Sequence, residues 1–182
     1  MAYTCKIARG FIMINFTVHD RDSAPDASKP LIDKAQEAFG LVPSLHGVMA
    51  QSPQLLEAYQ VLSNLFNQCS LNKEQRHVVW LTVAMNNQCH YCVPAHSQLA
   101  TLDGLDPDII QAIRSDQPIN DKPLEALRQY TSSVVFNRGK VSVDEITAMI
   151  NLGFTQQNLL DINLGVAHKV LSNYTNYLAK TP

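Results

Sequence analysis

The stretch Asn72-Lys73-Glu74-Gln75-Arg76-His77-Val78-Val79-Trp80-Leu81-Thr82-Val83-Ala84-Met85 decides the fold. Asn72 suits an N-cap, and Gln75 three residues on completes a capping box, so a helix starts at Lys73. Val78, Val79, Leu81, Val83, Ala84 and Met85 then leave little of that helix polar. A helix that is apolar nearly all round is buried on every side, so this one runs through the middle of a domain. It ends in the polar cluster Asn86-Asn87-Gln88, directly before Cys89.

Outward from this helix the same signals recur. Upstream, Pro53 opens a helix carrying Leu55, Leu56, Tyr59, Leu62, Leu65 and Phe66 at three-and-four spacing. Before it, Pro30 to Phe39 with Gly40 as a stop reads as another, and Leu45 to Ala50 as one or two turns. Downstream, helices are predicted through His96 to Leu102, from Pro107 to about Arg114, and from Pro123 to Asn137. Two more follow Ser142 and Thr155 as caps. Strand alternation, hairpin turns, repeats and low-complexity tracts do not appear. The expectation is an all-α, compact domain of roughly seven or eight helices. Residues 1–29 are read as an N-terminal extension and extended arm, and residues 30–182 as the helical domain.

Composition narrows the partners. With 182 residues, 46% hydrophobic and 16% charged, the chain can bury a core without disulfide staples. A net charge of -2 with scattered Lys and Arg gives no footprint for nucleic acid or an anionic membrane. No apolar run is long enough to span a bilayer, and Phe11-Ile12-Met13-Ile14 is too short for a signal sequence. A cytoplasmic protein is expected, with Met13 a second candidate start.

The chemistry concentrates in Cys89-His90-Tyr91-Cys92-Val93-Pro94-Ala95-His96. Positions i, i+3 and i+7 share one helix face, which groups Cys89, Cys92 and His96. Pro94 tolerates only a first helical turn, so the helix starts near Tyr91 or Cys92 and Cys89 lies in the turn before it. A thiolate at a helix N-terminus beside a histidine is a good nucleophile, and a second Cys one turn away can resolve its oxidised form. Two other readings stay open: zinc ligation with His77 or His90, or two structural thiols. The missing second ligand pair weighs against zinc, and the polar run before Cys89 against a dry core. Of the remaining cysteines, Cys5 lies in the N-terminal extension and Cys69 reads as a small buried residue at a helix end.

The run from Leu71 to Ala84, then Asn87-Gln88-Cys89-His90-Tyr91-Cys92-Val93-Pro94-Ala95-His96-Ser97, resembles the alkylhydroperoxidase AhpD / carboxymuconolactone decarboxylase superfamily. Its pattern is a glutamate, eleven residues, Cys-x-x-Cys, three residues and a histidine. Leu160-Asp161-Ile162 and Ser172 to Asn176 are similar to the peroxidase-related branch, so the resemblance covers about residues 30–182. It implies an all-α trimer or hexamer with peroxidase or disulfide-reductase activity. It also implies that Cys92 is the exposed, attacking thiol, Cys89 the resolver and His96 part of a proton relay. His77 stands where the family has its glutamate, and Glu74 one turn earlier is a candidate substitute for the lost charge. No cofactor is expected. With no nucleotide-binding glycine motif, electrons would come from a thiol or dithiol reductant and pass to a hydroperoxide. The competing expectations are a redox-sensing or metal-binding oligomer, and a decarboxylase-type acid–base enzyme using His77 and His96. The decarboxylase branch generally lacks the Cys pair.

Overall fold

The computed structural model describes residues 15–182. The expectations that fall on Met1–Ile14, namely Met13 as a second start and the place of Cys5, lie outside the described residues. Among the described residues there are nine α-helices and no strand. They are α1 (Lys29–Phe39), α2 (Ser44–Met49), α3 (Pro53–Asn67), α4 (Lys73–Asn86), α5 (Cys92–Leu102), α6 (Pro107–Arg114), α7 (Lys122–Phe136), α8 (Val143–Asn151) and α9 (Gln156–Ala179). The fold is all-α, as the sequence indicates. The count exceeds seven or eight because the segment read as one or two turns is a helix in its own right, α2.

The capping signals do what they promise. Asn72 and Gln75 bond reciprocally at the start of α4, Ser142 and Glu145 at α8, and Thr155 and Asn158 at α9. Each box satisfies two backbone donors that would otherwise face no partner. Helix α4 packs against α5, α6, α7 and α9, which confirms its central place. Val78, Val79, Leu81 and Val83 anchor the larger apolar cluster there, together with Phe66, Leu127 and Ile162.

A smaller cluster forms between α1, α2 and α3 around Ile32, Leu45, Met49 and Leu56. The arm before α1 joins it: Ala24 is buried in it, and the Ser28 hydroxyl donates to the Ala50 carbonyl at 2.6 Å. Further out, the His19 amide donates to the Gly47 carbonyl at 3.1 Å.

Helix α9 is the long element of the fold at 24 residues. Its inner face begins apolar with Leu159 and Ile162 and continues through Gly165. A Cβ on Gly165 would lie 2.6 Å from the Phe66 ring, so glycine is what lets α9 approach α3. Beyond Gly165 that same face turns polar, with His168, Lys169, Ser172, Asn173 and Asn176 all buried. This is the stretch that meets the cysteines.

Candidate active site

The dithiol is held by the junction of α4 and α5. Gln88 adopts a left-handed conformation (φ 51°), and the Cys89 amide donates back to the Ala84 carbonyl at 3.0 Å. That turn closes α4 and sends the chain into α5, whose first residue is Cys92. Pro94 therefore sits in the first turn of α5, where its missing N–H costs nothing, and Cys89 precedes the helix as its sequence implies. Cys89 and Cys92 are paired as a disulfide, with Cα atoms 5.3 Å apart. The Cys89 sulfur also accepts the Cys92 backbone N–H at 3.2 Å, so it caps the start of α5.

One expectation is corrected here. The attacking thiol was to be exposed, yet Cys92 is 2% exposed and Cys89 4%. The reason is α9, which lies across the pair. Asn173 donates its side-chain amide to the Cys92 sulfur at 3.0 Å, and Asn176 donates to it at 3.1 Å. Asn176 lies further from Cys89, at 3.8 Å. Asn87 donates to the Asn173 carbonyl oxygen at 2.9 Å, which fixes which end of that amide faces the sulfur.

His96 lies one turn beyond Cys92 on α5, also buried. Its Nε2 is 2.7 Å from the Lys169 ammonium nitrogen. Lys169 is 1% exposed, and His96 is its hydrogen-bond partner. Burial lowers the Lys169 pKa to about 7. Burial first, then the Lys169, His168 and His77 charges, hold His96 well below the ordinary histidine range. Burial thus pushes both groups toward their neutral forms, and each disfavours the charge of the other, so the pair carries at most one extra proton. When Lys169 is charged it donates to Nε2, which places the imidazole proton on Nδ1.

His77 is buried on α4 with its ring 5.7 Å from Trp80, which is itself 5.3 Å from His96. Its Nε2 donates to Asp103 at 2.8 Å, because a carboxylate can only accept. That hydrogen bond, the largest influence, lowers the Asp103 pKa, with the nearby Lys73 also contributing. The negative charge that His77 lacks is therefore supplied by Asp103 behind it. Glu74, the sequence candidate for that job, is exposed instead. Trp80 is core as well as neighbour: its indole N–H donates to His168 Nδ1 at 3.0 Å, and His168 stacks on Tyr59 at 4.6 Å.

A cleft of about 420 Å³ opens beside Cys89. Its lining includes Cys89, His90, Tyr91, Asn176, Tyr177 and Lys180 but not Cys92. A second cleft of about 460 Å³, between α4, α6 and α7, contains neither cysteine. His90 is exposed and Tyr91 half-buried at the first cleft. Among the described residues no three His, Cys, Asp or Glu side chains group to hold a metal ion. Cys69 is a free, half-buried thiol packed against the larger core.

The structure pairs Cys89 with Cys92, places His96 one helical turn further along α5 with Lys169 as its partner, and sets His77 and His96 on either side of Trp80. From the sequence, Asn173 and Asn176 read only as capping or packing residues without chemistry, and Lys169, Asn87 and Asp103 carry no assigned role. A signal for the α9 residues was present: Lys169, Asn173 and Asn176 continue the helical face begun by Leu159 and Ile162, where polar side chains need a reason.

An all-α domain with a buried dithiol under a polar helix face is the class of protein that fold and site define. Residues 50–131 match the model of the carboxymuconolactone decarboxylase family. The fold is shared with an AhpD-core, uncharacterized peroxidase-related protein from Ralstonia eutropha JMP134. That match has a TM-score of 0.82 at 21% identity and covers 92% of this chain and 90% of that one. An uncharacterized peroxidase-related protein from Silicibacter sp. TM1040 follows it at TM-score 0.72 and 20% identity, covering 94% of this chain and 93% of that one. The debrominase Bmp8 in complex with 2,3,4-tribromopyrrole is similar at TM-score 0.78 and 14% identity, covering 94% and 92%. Comparison with curated proteins gives no match. The chain thus carries a carboxymuconolactone decarboxylase family match over residues 50–131 and shares its all-α fold with AhpD-like structures.

Proposed function

We propose that the chain is a thiol-dependent peroxidase, a dithiol–disulfide oxidoreductase that reduces hydroperoxides in an antioxidant role. The observation that carries this reading is the Cys92 sulfur, adjacent to Cys89 and held by two amide donors at 3.0 and 3.1 Å. Donors aimed at a sulfur favour its thiolate, the nucleophilic form. In the reduced protein the Cys92 thiolate attacks the outer peroxide oxygen and the O–O bond breaks. The departing alkoxide takes a proton delivered from Lys169 through His96, and Cys92 becomes a sulfenic acid. The Cys89 thiolate then attacks the Cys92 sulfur, the S–O bond breaks, and the hydroxide leaves as water after protonation. The net change is one hydroperoxide and two thiols to one alcohol, one water and one disulfide. A thiol or dithiol reductant restores the pair.

A homo-oligomer, trimer or hexamer, belongs to the same proposal, supported by exposed apolar side chains such as Leu102, Phe136, Leu160 and Tyr177. So does a cytoplasmic setting; no helix among the described residues is long and apolar enough to cross a membrane.

The test is peroxide consumption with a dithiol reductant in wild type, Cys92→Ser and Cys89→Ser. The expected result is loss of turnover in both variants, with Cys92→Ser also losing the first stoichiometric reaction. Turnover unchanged by Cys92→Ser ends the reading.

A further inference from the structure

The two sulfurs of the disulfide differ in what surrounds them. Cys92 receives both Asn173 and Asn176 amides, whereas Cys89 receives a backbone N–H at 3.2 Å and only the distant side of Asn176 at 3.8 Å. The cleft is lined by Cys89 and Asn176 and not by Cys92. Cys89 therefore borders the cleft, and Cys92 is prepared to hold negative charge. In thiol–disulfide exchange these are separate requirements: access decides which sulfur is attacked, and a low-pKa thiolate makes the better leaving group.

We infer that reduction runs in one direction, with the reductant attacking Cys89 from the cleft and Cys92 leaving into a thiolate cradle formed by Asn173 and Asn176. A thiolate R–S⁻ enters along the S–S axis, and its sulfur bonds to Cys89 Sγ. The Cys89–Cys92 bond breaks, and its electron pair stays on Cys92. A second thiolate then attacks the R sulfur, R–S–S–R departs, and Cys89 keeps the electron pair as a thiolate that takes up a proton. Two thiols are oxidised and the protein disulfide is reduced. Asn87 belongs to the cradle as a positioning residue, because its bond to the Asn173 carbonyl turns the Asn173 N–H group toward sulfur.

The cleft also limits the reductant. A volume of about 420 Å³ suits a small thiol or the tip of an extended chain and not a folded domain face. Lys180 and His90 at its walls favour a thiol that carries a carboxylate. The order of attack rests on the reading of the pair as redox-active, not on peroxide as its oxidant.

The experiment starts from the oxidised wild-type protein. It is mixed briefly with 2-mercaptoethanol, quenched in acid, alkylated and mapped by peptide mass spectrometry. The mixed disulfide should sit on Cys89 and the alkyl group on Cys92. A probe found on Cys92, or divided evenly, overturns the inference. In Asn173→Ala and Asn176→Ala, reduction should slow about tenfold for each amide removed, as expected for a lost hydrogen bond to a charged group. Ultraviolet thiolate absorption should show Cys92 ionising at higher pH in the same variants. Unchanged rates and ionisation in both would remove the cradle. A thiosuccinate probe should outpace 2-mercaptoethanol, and Lys180→Glu should erase that preference. Peroxide assays separate the two readings: absent peroxide turnover with the probe still on Cys89 ends the peroxidase proposal and supports the order of attack.

Discussion

Burying an ammonium group without a carboxylate is costly, and the protein answers that cost at Lys169 with a neutral imidazole. The answer is incomplete, and so Lys169 titrates near pH 7. If it supplies the proton to the departing alkoxide, only its charged form works. Activity should then fall as pH rises through about 7 while the Cys92 thiolate fraction rises, giving a bell. Lys169→Met should lose the alkaline limb and lower peroxide turnover by roughly a hundredfold. Lys169→Arg, charged throughout, should lose the limb as well. A pH–rate profile of the variants with the limb intact would exclude Lys169 as the donor. His77 gives a second prediction at this scale. Restoring the family's glutamate, His77→Glu, would place a buried carboxylate against Asp103, the acceptor 2.8 Å from His77 Nε2. Two carboxylates there should destabilise the fold by about 3 kcal/mol in urea denaturation, because one is left buried and uncompensated. Variant stability equal to wild type would mean that Asp103 swings away. Cys89, Cys92 and His96 were readable because they lie within eight residues around one helix start. Lys169, Asn173 and Asn176 lie more than seventy residues along the chain from the partners they touch, and no local spacing encodes that contact.

At the scale of elements, the helix boundaries that carried explicit stop and start chemistry were legible. Asn72 with Gln75, and Ser142 with Glu145, specify their caps within four residues, and Gly40 ends α1 in the left-handed conformation that suits glycine. Which face of α9 meets which neighbour was less legible. Leu160, Tyr174 and Leu178 look like core in a bare sequence, but all three are exposed. The inner face is set instead by Gly165, where α9 packs tightly on α3 and α4. A Cβ there would lie 2.6 Å from Phe66 and 2.9 Å from Val79, both in the larger core. Gly165→Ala should therefore cost about 1–3 kcal/mol despite the better helix propensity of alanine, since overpacking outweighs the propensity gain of up to about 1 kcal/mol. It should also lift the following turns of α9, so thiol reactivity at Cys92 should change with stability. Denaturant midpoints and alkylation rates measured together would check this. A more stable variant with unchanged reactivity would show that Phe66 yields easily.

Across the whole molecule, the buried titratable groups together predict how stability follows pH. Burial lowers His46 to about 4 and His168, with help from the Lys169 and His46 charges, to about 3, against an ordinary 6.5. Between 6.5 and those values the unfolded chain binds protons that the folded one refuses. Stability is therefore full above 6.5 and declines as pH falls through about 4 and then 3. Lys169 extends the trend upward, because its folded value of about 7 lies below its ordinary 10.5. In that window the unfolded chain again binds the extra proton, so stability still rises with pH, at most by about 1.4 kcal/mol per pH unit for one proton. Tyr59 reverses the sign: burial, and then the Tyr91 charge, raise its pKa above the ordinary 10.0, so stability declines once unfolded tyrosine ionises. These slopes place maximum stability on the alkaline side, near pH 10, rather than near neutrality. Urea denaturation from pH 5 to 11 should show a rise to that maximum in the wild type. Lys169→Met should level the rise above pH 7 while keeping the acid decline that His46 and His168 cause. A wild-type profile flat above pH 7, or the same rise in Lys169→Met, would mean that the Lys169–His96 pair keeps its proton through the whole range. The buried polar face of α9 would then be a fixed charge under the disulfide instead of an exchangeable proton.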